Sequence, residues 1–116
     1  MNRGDVILVR FPFPSGARGK KRPAVVVQAD AYGQTVQTLV VAQVTTNLVM
    51  ARDAACLFID VATPEGQATG LLSNSVVSGL LLATVKSDRV EQIIGVLSDT
   101  MKQKLNDCLK AALELP

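Results

Sequence analysis

The sequence has no histidine and no tryptophan, and only two cysteines. Without imidazole it lacks the one side chain whose ordinary pKa lies near neutrality, and the commonest nitrogen ligand for zinc. A Ser-His-Asp hydrolase, a Cys-His protease and a ribonuclease built on paired histidines are therefore excluded. Cys56 and Cys108 stand far apart in the chain. Two thiols without histidine do not make a metal-ligand set, and they are too few for a disulfide framework. They are expected to be buried, reduced residues, and neither a metal nor a cofactor is expected. Long apolar runs are missing too. The stretches Ala31 to Ala51 and Gln67 to Val85 carry no charge, but Gln, Thr, Asn, Ser or Gly break both. A membrane span needs about 20 mainly apolar residues. The first residues, Met1-Asn2-Arg3-Gly4-Asp5, hold no apolar signal core. The expectation is a soluble, cytoplasmic protein with no membrane partner.

What is present fits one globular domain over residues 1–116, with 48% hydrophobic and 19% charged residues. Most of it reads as short strands. Val6 to Phe11 is the first, ended by Pro12 and Pro14, since proline cannot donate a ladder hydrogen bond. Pro14 to Arg22 reads as a loop. Pro23-Ala24-Val25-Val26-Val27-Gln28 is apolar without alternation, the pattern of a strand covered on both faces. Thr38 to Thr45 returns as its hairpin partner, and Cys56 to Asp60 and Ser75 to Ser78 follow. Leu80 to Thr84 is ambiguous between strand and turn, and Lys86 to Arg89 reads as a short helical turn. Glu91 to Leu97 is the last strand. The period then changes. Ser98 can cap a helix, Asp99 suits its first turn, and Met101, Leu105, Cys108, Leu109, Ala112 and Leu113 recur on one face. The predicted fold is mainly β with a C-terminal helix, a small curved antiparallel barrel.

The net charge of +2 hides an asymmetry. Residues 1–22 carry Arg3, Arg10, Arg18, Lys20, Lys21 and Arg22 against Asp5, while the rest carries six basic and nine acidic side chains. A solvated basic loop is one reading. A phosphate clamp is the other, because guanidinium offers a planar fork of donors and ammonium a point charge. Arg22 is the most suggestive member, since it stands where the loop meets an apolar strand. Phe13, between two prolines, either offers a stacking face to a base or plugs the loop from beneath.

Three segments together resemble a known family: Arg3-Gly4-Asp5-Val6, Lys21-Arg22-Pro23-Ala24-Val25-Val26-Val27 and Val44-Thr45-Thr46-Asn47. Ile94-Gly95-Val96-Leu97-Ser98 and the terminal helix fit the same pattern. The order and spacing are similar to those of the MazF/PemK toxins of bacterial toxin–antitoxin modules, over essentially the whole chain. The resemblance implies an SH3-like barrel and a homodimer. It implies a metal-independent endoribonuclease that cuts single-stranded RNA to 2′,3′-cyclic phosphate and 5′-hydroxyl ends. It also implies neutralisation by a cognate acidic antitoxin. On this resemblance Arg22 and Thr45 are the catalytic candidates. Arg18, Lys20, Lys21, Phe13, Thr46 and Asn47 are the RNA-binding candidates, although turn chemistry alone also accounts for Thr46 and Asn47. The first loop departs from the family. Many members carry a Glu-Gln pair there, whereas here no carboxylate occurs between Asp5 and Asp30.

The chemistry is consistent with the missing imidazole. When the 2′-hydroxyl of RNA is the nucleophile, the protein must chiefly stabilise charge on the phosphorane oxygens. Arg22 can do so with two hydrogen bonds, and Thr45 can add a hydroxyl. Lys20 or Lys21, if desolvated, could share proton transfer. Two other readings use the same fold. A gyrase-poisoning module of the CcdB branch ends its helix in Trp-Gly-Ile, and this sequence has no tryptophan. A non-catalytic binding module would keep the fold without the chemistry.

Overall fold

The computed structural model describes residues 1–11 and 20–116. Six antiparallel strands form one sheet: β1 (Asp5–Phe11), β2 (Lys20–Val26), β3 (Thr38–Thr45), β4 (Cys56–Ile59), β5 (Ser75–Lys86) and β6 (Val90–Val96). Their order across the sheet is β4-β5-β3-β2-β1-β6. A short helix α1 (Pro64–Ala68) lies between β4 and β5, and helix α2 (Asp99–Leu113) ends the fold.

The central strands are covered on both faces, as the unalternating Ala24–Val27 run predicts. Period-2 geometry sends successive side chains to opposite sides. Val6, Val25, Ala42, Val44 and Val77 join Leu57, Ile59 and the α2 residues Met101, Leu105 and Cys108 in one core. Ile7, Val9, Ala24, Val26, Leu39, Val41 and Val85 form a second core on the other face. No α-helix residue belongs to that second core. The sheet covers it by curling. β5 and β6 are four positions apart in the sheet order, so a flat sheet would hold them about 19 Å apart. Yet only the single 3-10 turn Ser87–Arg89 joins them. The steps from Lys86 to Val90 reach about 14 Å at full stretch, so the sheet has to bend until the two strand ends meet.

The expected barrel is therefore realised in part. β5 and β6 meet through the turn but share no ladder among the described residues, and the sheet stays open with β4 and β6 as edges. The segment after α1 closes much of the remaining distance. Thr69-Gly70 lies directly against Ile94-Gly95 of β6, so a Cβ on either Gly70 or Gly95 would collide with the other's backbone neighbours. Gly70 also has φ +74, in the left-handed region that glycine tolerates.

Two sequence expectations are revised. β2 runs Lys20–Val26, so Lys20 to Arg22, expected in the loop, are strand residues, and Val27 and Gln28, expected in the strand, lie beyond it. β5 is one strand of twelve residues, running through Gly79 and the ambiguous Leu80 to Thr84. The segment from Pro64 to Ala68 forms a short helix. Thr63 caps it by accepting from Gly66 N at 3.0 Å, and proline stands at its start. The terminal helix matches its prediction. Ser98 Oγ accepts from Met101 N at 3.2 Å and donates to the Glu65 carboxylate, tying α1 to α2. Cys56 and Cys108 are buried free thiols. Burial pushes the Cys108 thiol up, with smaller contributions from Cys56, Asp107 and Asp53.

Arg3, counted above among the cations of the N-terminal segment, is a structural clamp. Its Nε donates to Val27 O at 3.0 Å and its Nη2 to Asn106 Oδ1 at 2.6 Å. Its backbone N donates to Asp30 Oδ1 at 2.6 Å. Gly4 beside it donates to Val26 O at 2.8 Å and accepts from Leu97 N at 2.9 Å. Arg3→Ala loses two hydrogen bonds from a charged, half-buried donor. It is expected to lower stability by about 1–2 kcal/mol, read as a fall of roughly 4–10 °C in Tm by thermal unfolding.

Candidate nucleic-acid interface

Antiparallel pairing sets the geometry of the site. Ala24 of β2 pairs with Gln43 of β3 at the end of that ladder, and just beyond it Arg22 and Thr45 line one cleft. Val9 of β1 pairs with Arg22 from the other side. Val9 is fully buried while Arg22 is exposed, so the guanidinium rises from a strand position held by pairing with β1. Thr45 pairs with Val76 of β5, which places Ser75 beside it.

These residues converge on a cleft of about 250 Å³ lined by Lys20, Lys21, Arg22, Pro23, Val44, Thr45, Thr46 and Ser75. Its described lining carries three cations, three hydroxyls and no carboxylate. Thr45 Oγ1 accepts from Asn47 N at 3.0 Å, and Asn47 Oδ1 accepts from Val49 N at 3.1 Å. Both are side-chain turns that fix the end of β3. The Thr45 oxygen is thus held by the backbone, and its O–H proton can be aimed into the cleft.

Of the site candidates, Arg22, Thr45, Lys20, Lys21 and Thr46 are brought together in this cleft. Asn47 lies in an adjoining cleft of about 200 Å³, shared with Thr45 and lined also by Val76 and Leu81. Phe13 and Arg18 lie outside the described residues. Lys20 and Lys21 are exposed, so the folded chain alone does not supply the desolvation that proton transfer by them would need. Ser75 is a site residue that sequence reasoning passed over. It is nearly fully buried, and its Oγ donates to Ser73 O at 2.8 Å. Only the β3–β5 register reveals its position. A larger apolar cleft of about 390 Å³ adjoins on the other side. It shares Pro23, Thr46 and Ser75 and adds Leu8, Leu71, Leu72 and Gln92. A further cavity, about 410 Å³ around Gln37, Thr38 and Ser87, contains none of the candidate residues.

The charge around the cleft is continuous with β1. Arg10 is the register partner of Lys21. Arg10 Nε also donates to Glu91 Oε1 at 2.7 Å. That hydrogen bond, with help from the charge on Lys21, holds the Glu91 carboxyl below the usual carboxylate range. Among the described residues no group of three or more His, Cys, Asp or Glu side chains is placed to hold a metal ion. No helix among them is long and apolar enough to cross a membrane.

Known structures share this architecture. The chain is similar to a mycobacterial endoribonuclease solved with its cognate antitoxin, with 19% identity and a TM-score of 0.77 over 100% of this chain and 97% of that one. It is similar to the Mycobacterium tuberculosis toxin MazF-mt6, with 20% identity and a TM-score of 0.78 over 97% and 98% of the two chains. It is also similar to a MazE–MazF structure from Deinococcus radiodurans, with 16% identity and a TM-score of 0.74 over 100% and 98%. At these identities the likeness establishes the fold. No curated protein matches the sequence. The profile of the PemK-like, MazF-like toxins of type II toxin–antitoxin systems matches residues 2–113, nearly the whole chain, and the protein belongs to that family.

Proposed function

We propose that the protein is a toxin that cleaves single-stranded RNA at the Arg22–Thr45 cleft without a metal ion, and so inhibits translation. The observation that carries this reading is that Arg22 and Thr45 line one cleft, which the described residues furnish with cations and hydroxyls. In the reaction the ribose 2′ oxygen gives its proton to water as it forms a bond to the adjacent phosphorus. The bond from phosphorus to the 5′ oxygen breaks, and that oxygen takes a proton from water. The products are a 2′,3′-cyclic phosphate and a 5′-hydroxyl. Negative charge grows on the nonbridging oxygens between these events. The Arg22 fork and the Thr45 O–H stabilise it from rigid strand positions, which is where such donors have most effect. Lys20 and Lys21 hold the flanking phosphate backbone, and Thr46 contacts the strand beside the cleaved bond. The lack of histidine is no obstacle, because the substrate supplies the nucleophile.

In this reading the protein works in the cytoplasm, and its partners follow from charge and exposed surface. An acidic antitoxin segment would occupy the cationic cleft and compete with RNA there. Phe58, Leu80, Leu81 and Leu113 are large apolar residues, each at least 40% exposed. They provide the self-complementary surface for a homodimer.

RNA cleavage with the purified protein and excess chelator tests the chemistry. Wild type is expected to cut and to leave 5′-hydroxyl ends. Arg22→Ala is expected to lower kcat/KM by at least about 10³-fold while Tm holds. Arg22→Lys should recover only part of this, since ammonium cannot form the two-point contact. Thr45→Val removes the hydroxyl at nearly constant shape and should cost about 10–100-fold. A wild-type protein that cuts no RNA, or an Arg22→Ala protein that cuts as well as wild type, overturns the proposal. For the dimer, Leu81→Glu should convert the sedimentation profile from dimer to monomer, and a wild-type profile that is already monomeric overturns that part.

A further inference from the structure

A second cationic cleft lies beyond the one just described. It is about 170 Å³ and is lined by Arg10, Thr84, Val85, Lys86 and Arg89. Its cations come from three places in the chain. Arg10 is near the end of β1, Lys86 is the last residue of β5, and Arg89 ends the turn that leads into β6. The curl of the sheet brings them together. Arg10 also connects this cleft to the first, because it pairs across the ladder with Lys21, which lines the Arg22–Thr45 cleft.

The arrangement opposes like charges. Arg10 and Lys21 sit directly opposite each other on neighbouring strands, which is destabilising by itself. Glu91 answers Arg10 and feels Lys21. Lys86 and Arg89 bring two more positive charges to the same end of the sheet, with Asp88 between them in the turn. The two clefts together are lined by Lys20, Lys21, Arg22, Arg10, Lys86 and Arg89, and no carboxylate is in the described lining of either. Even with Glu91 and Asp88 beside them, these six cations leave a positive excess, which favours an anionic ligand that spans both clefts.

We propose that the Arg10–Lys86–Arg89 cleft is a phosphate subsite for the same RNA strand, one or more nucleotides away from the bond cleaved at Arg22 and Thr45. The inference rests on the RNA-cleaving reading above and extends it by giving the strand a path across the sheet. From Thr45 on β3 the strand crosses Arg22 and Lys21 on β2, then Arg10 on β1, and ends at the β5–β6 turn. Arg89 offers a planar fork to nonbridging oxygens, Lys86 adds a point charge, and the Thr84 hydroxyl adds a further donor. Phosphate contacts fix position and register but carry no sequence information. The subsite therefore adds affinity for longer strands and leaves the cleaved sequence unchanged.

Binding to RNA that cannot be cut tests this separately from catalysis. The probes are 2′-O-methyl RNAs of about five and about twelve nucleotides, read by fluorescence anisotropy across a salt series. The proteins are wild type, Lys86→Gln/Arg89→Gln, and the charge-keeping Lys86→Arg/Arg89→Lys. For the glutamine variant the longer probe is expected to bind about tenfold more weakly. Its salt slope should fall by about 1–1.5, the value for two lost single-strand phosphate contacts. The wild-type preference for the longer probe over the shorter should shrink, and the charge-keeping variant should restore it. An unchanged affinity for the longer probe, an equal loss on both lengths, or no restoration overturns the subsite. So does a loss confined to an acidic peptide probe, which would assign the cleft to a protein partner. A wild type that binds the longer probe without cutting ordinary RNA overturns the cleavage reading alone, and the anisotropy comparison still decides the subsite.

Discussion

The short turn between β5 and β6 constrains the rest of the molecule. Three residues connect strands that lie at distant positions of one sheet, and the sheet curls because the chain cannot reach otherwise. The curl encloses Ile7, Val9, Ala24, Val26 and Val41, which are all at most 1% exposed although no α-helix residue joins their cluster. It leaves the other face for α2 to cover with Met101, Leu105 and Cys108. A chain of this length thereby builds two cores from one sheet. The two cationic clefts lie where the strands run out into charged residues.

The N-terminal cationic segment divides into two roles once it is folded. Arg3 ties the chain just after β2 to α2, through Val27 and Asn106. Arg10 is ion-paired with Glu91. Lys20, Lys21 and Arg22 line a cleft from the start of β2. Charge counted along the sequence therefore overstates the cations available to a ligand from this segment, since the fold holds the Arg3 guanidinium and Glu91 answers part of the charge that Arg10 brings to its cleft. It also misses Lys86 and Arg89, which only the curl delivers to the same end of the sheet.

Local signals made much of the fold legible. Thr38–Thr45 is a strand with the predicted bounds, because its apolar residues are mostly β-branched and its ends are polar. The terminal helix announced itself through Ser98 and a one-face apolar pattern. β5 was harder to read, because its pairing changes midway. Its first part pairs with β4 as well as β3, and its second part pairs with β3 alone. Gly79 falls at that change, against Ala55 O and Cys108 O, so glycine there marks close packing inside a strand rather than a turn. Helix α1 was hidden by its brevity and by Gly66. Motif order named Arg22 and Thr45 as candidates, and the fold brings both to one cleft. It did not name Ser75, because only long-range register brings that residue to Thr45.

The Gly70–Gly95 contact has a mechanical consequence. Where two stretches of chain meet through side chains, rotamer changes can absorb small displacements. Here backbone meets backbone, with no glycine side chain between them to yield. The segment Gly70–Ser73 is also one wall of the apolar cleft beside the site, and Gln92 and Ile94 of β6 form part of its lining too. The seam therefore works like a rivet between those two walls: it fixes their backbone separation where they meet, and leaves the lining side chains to shape the opening.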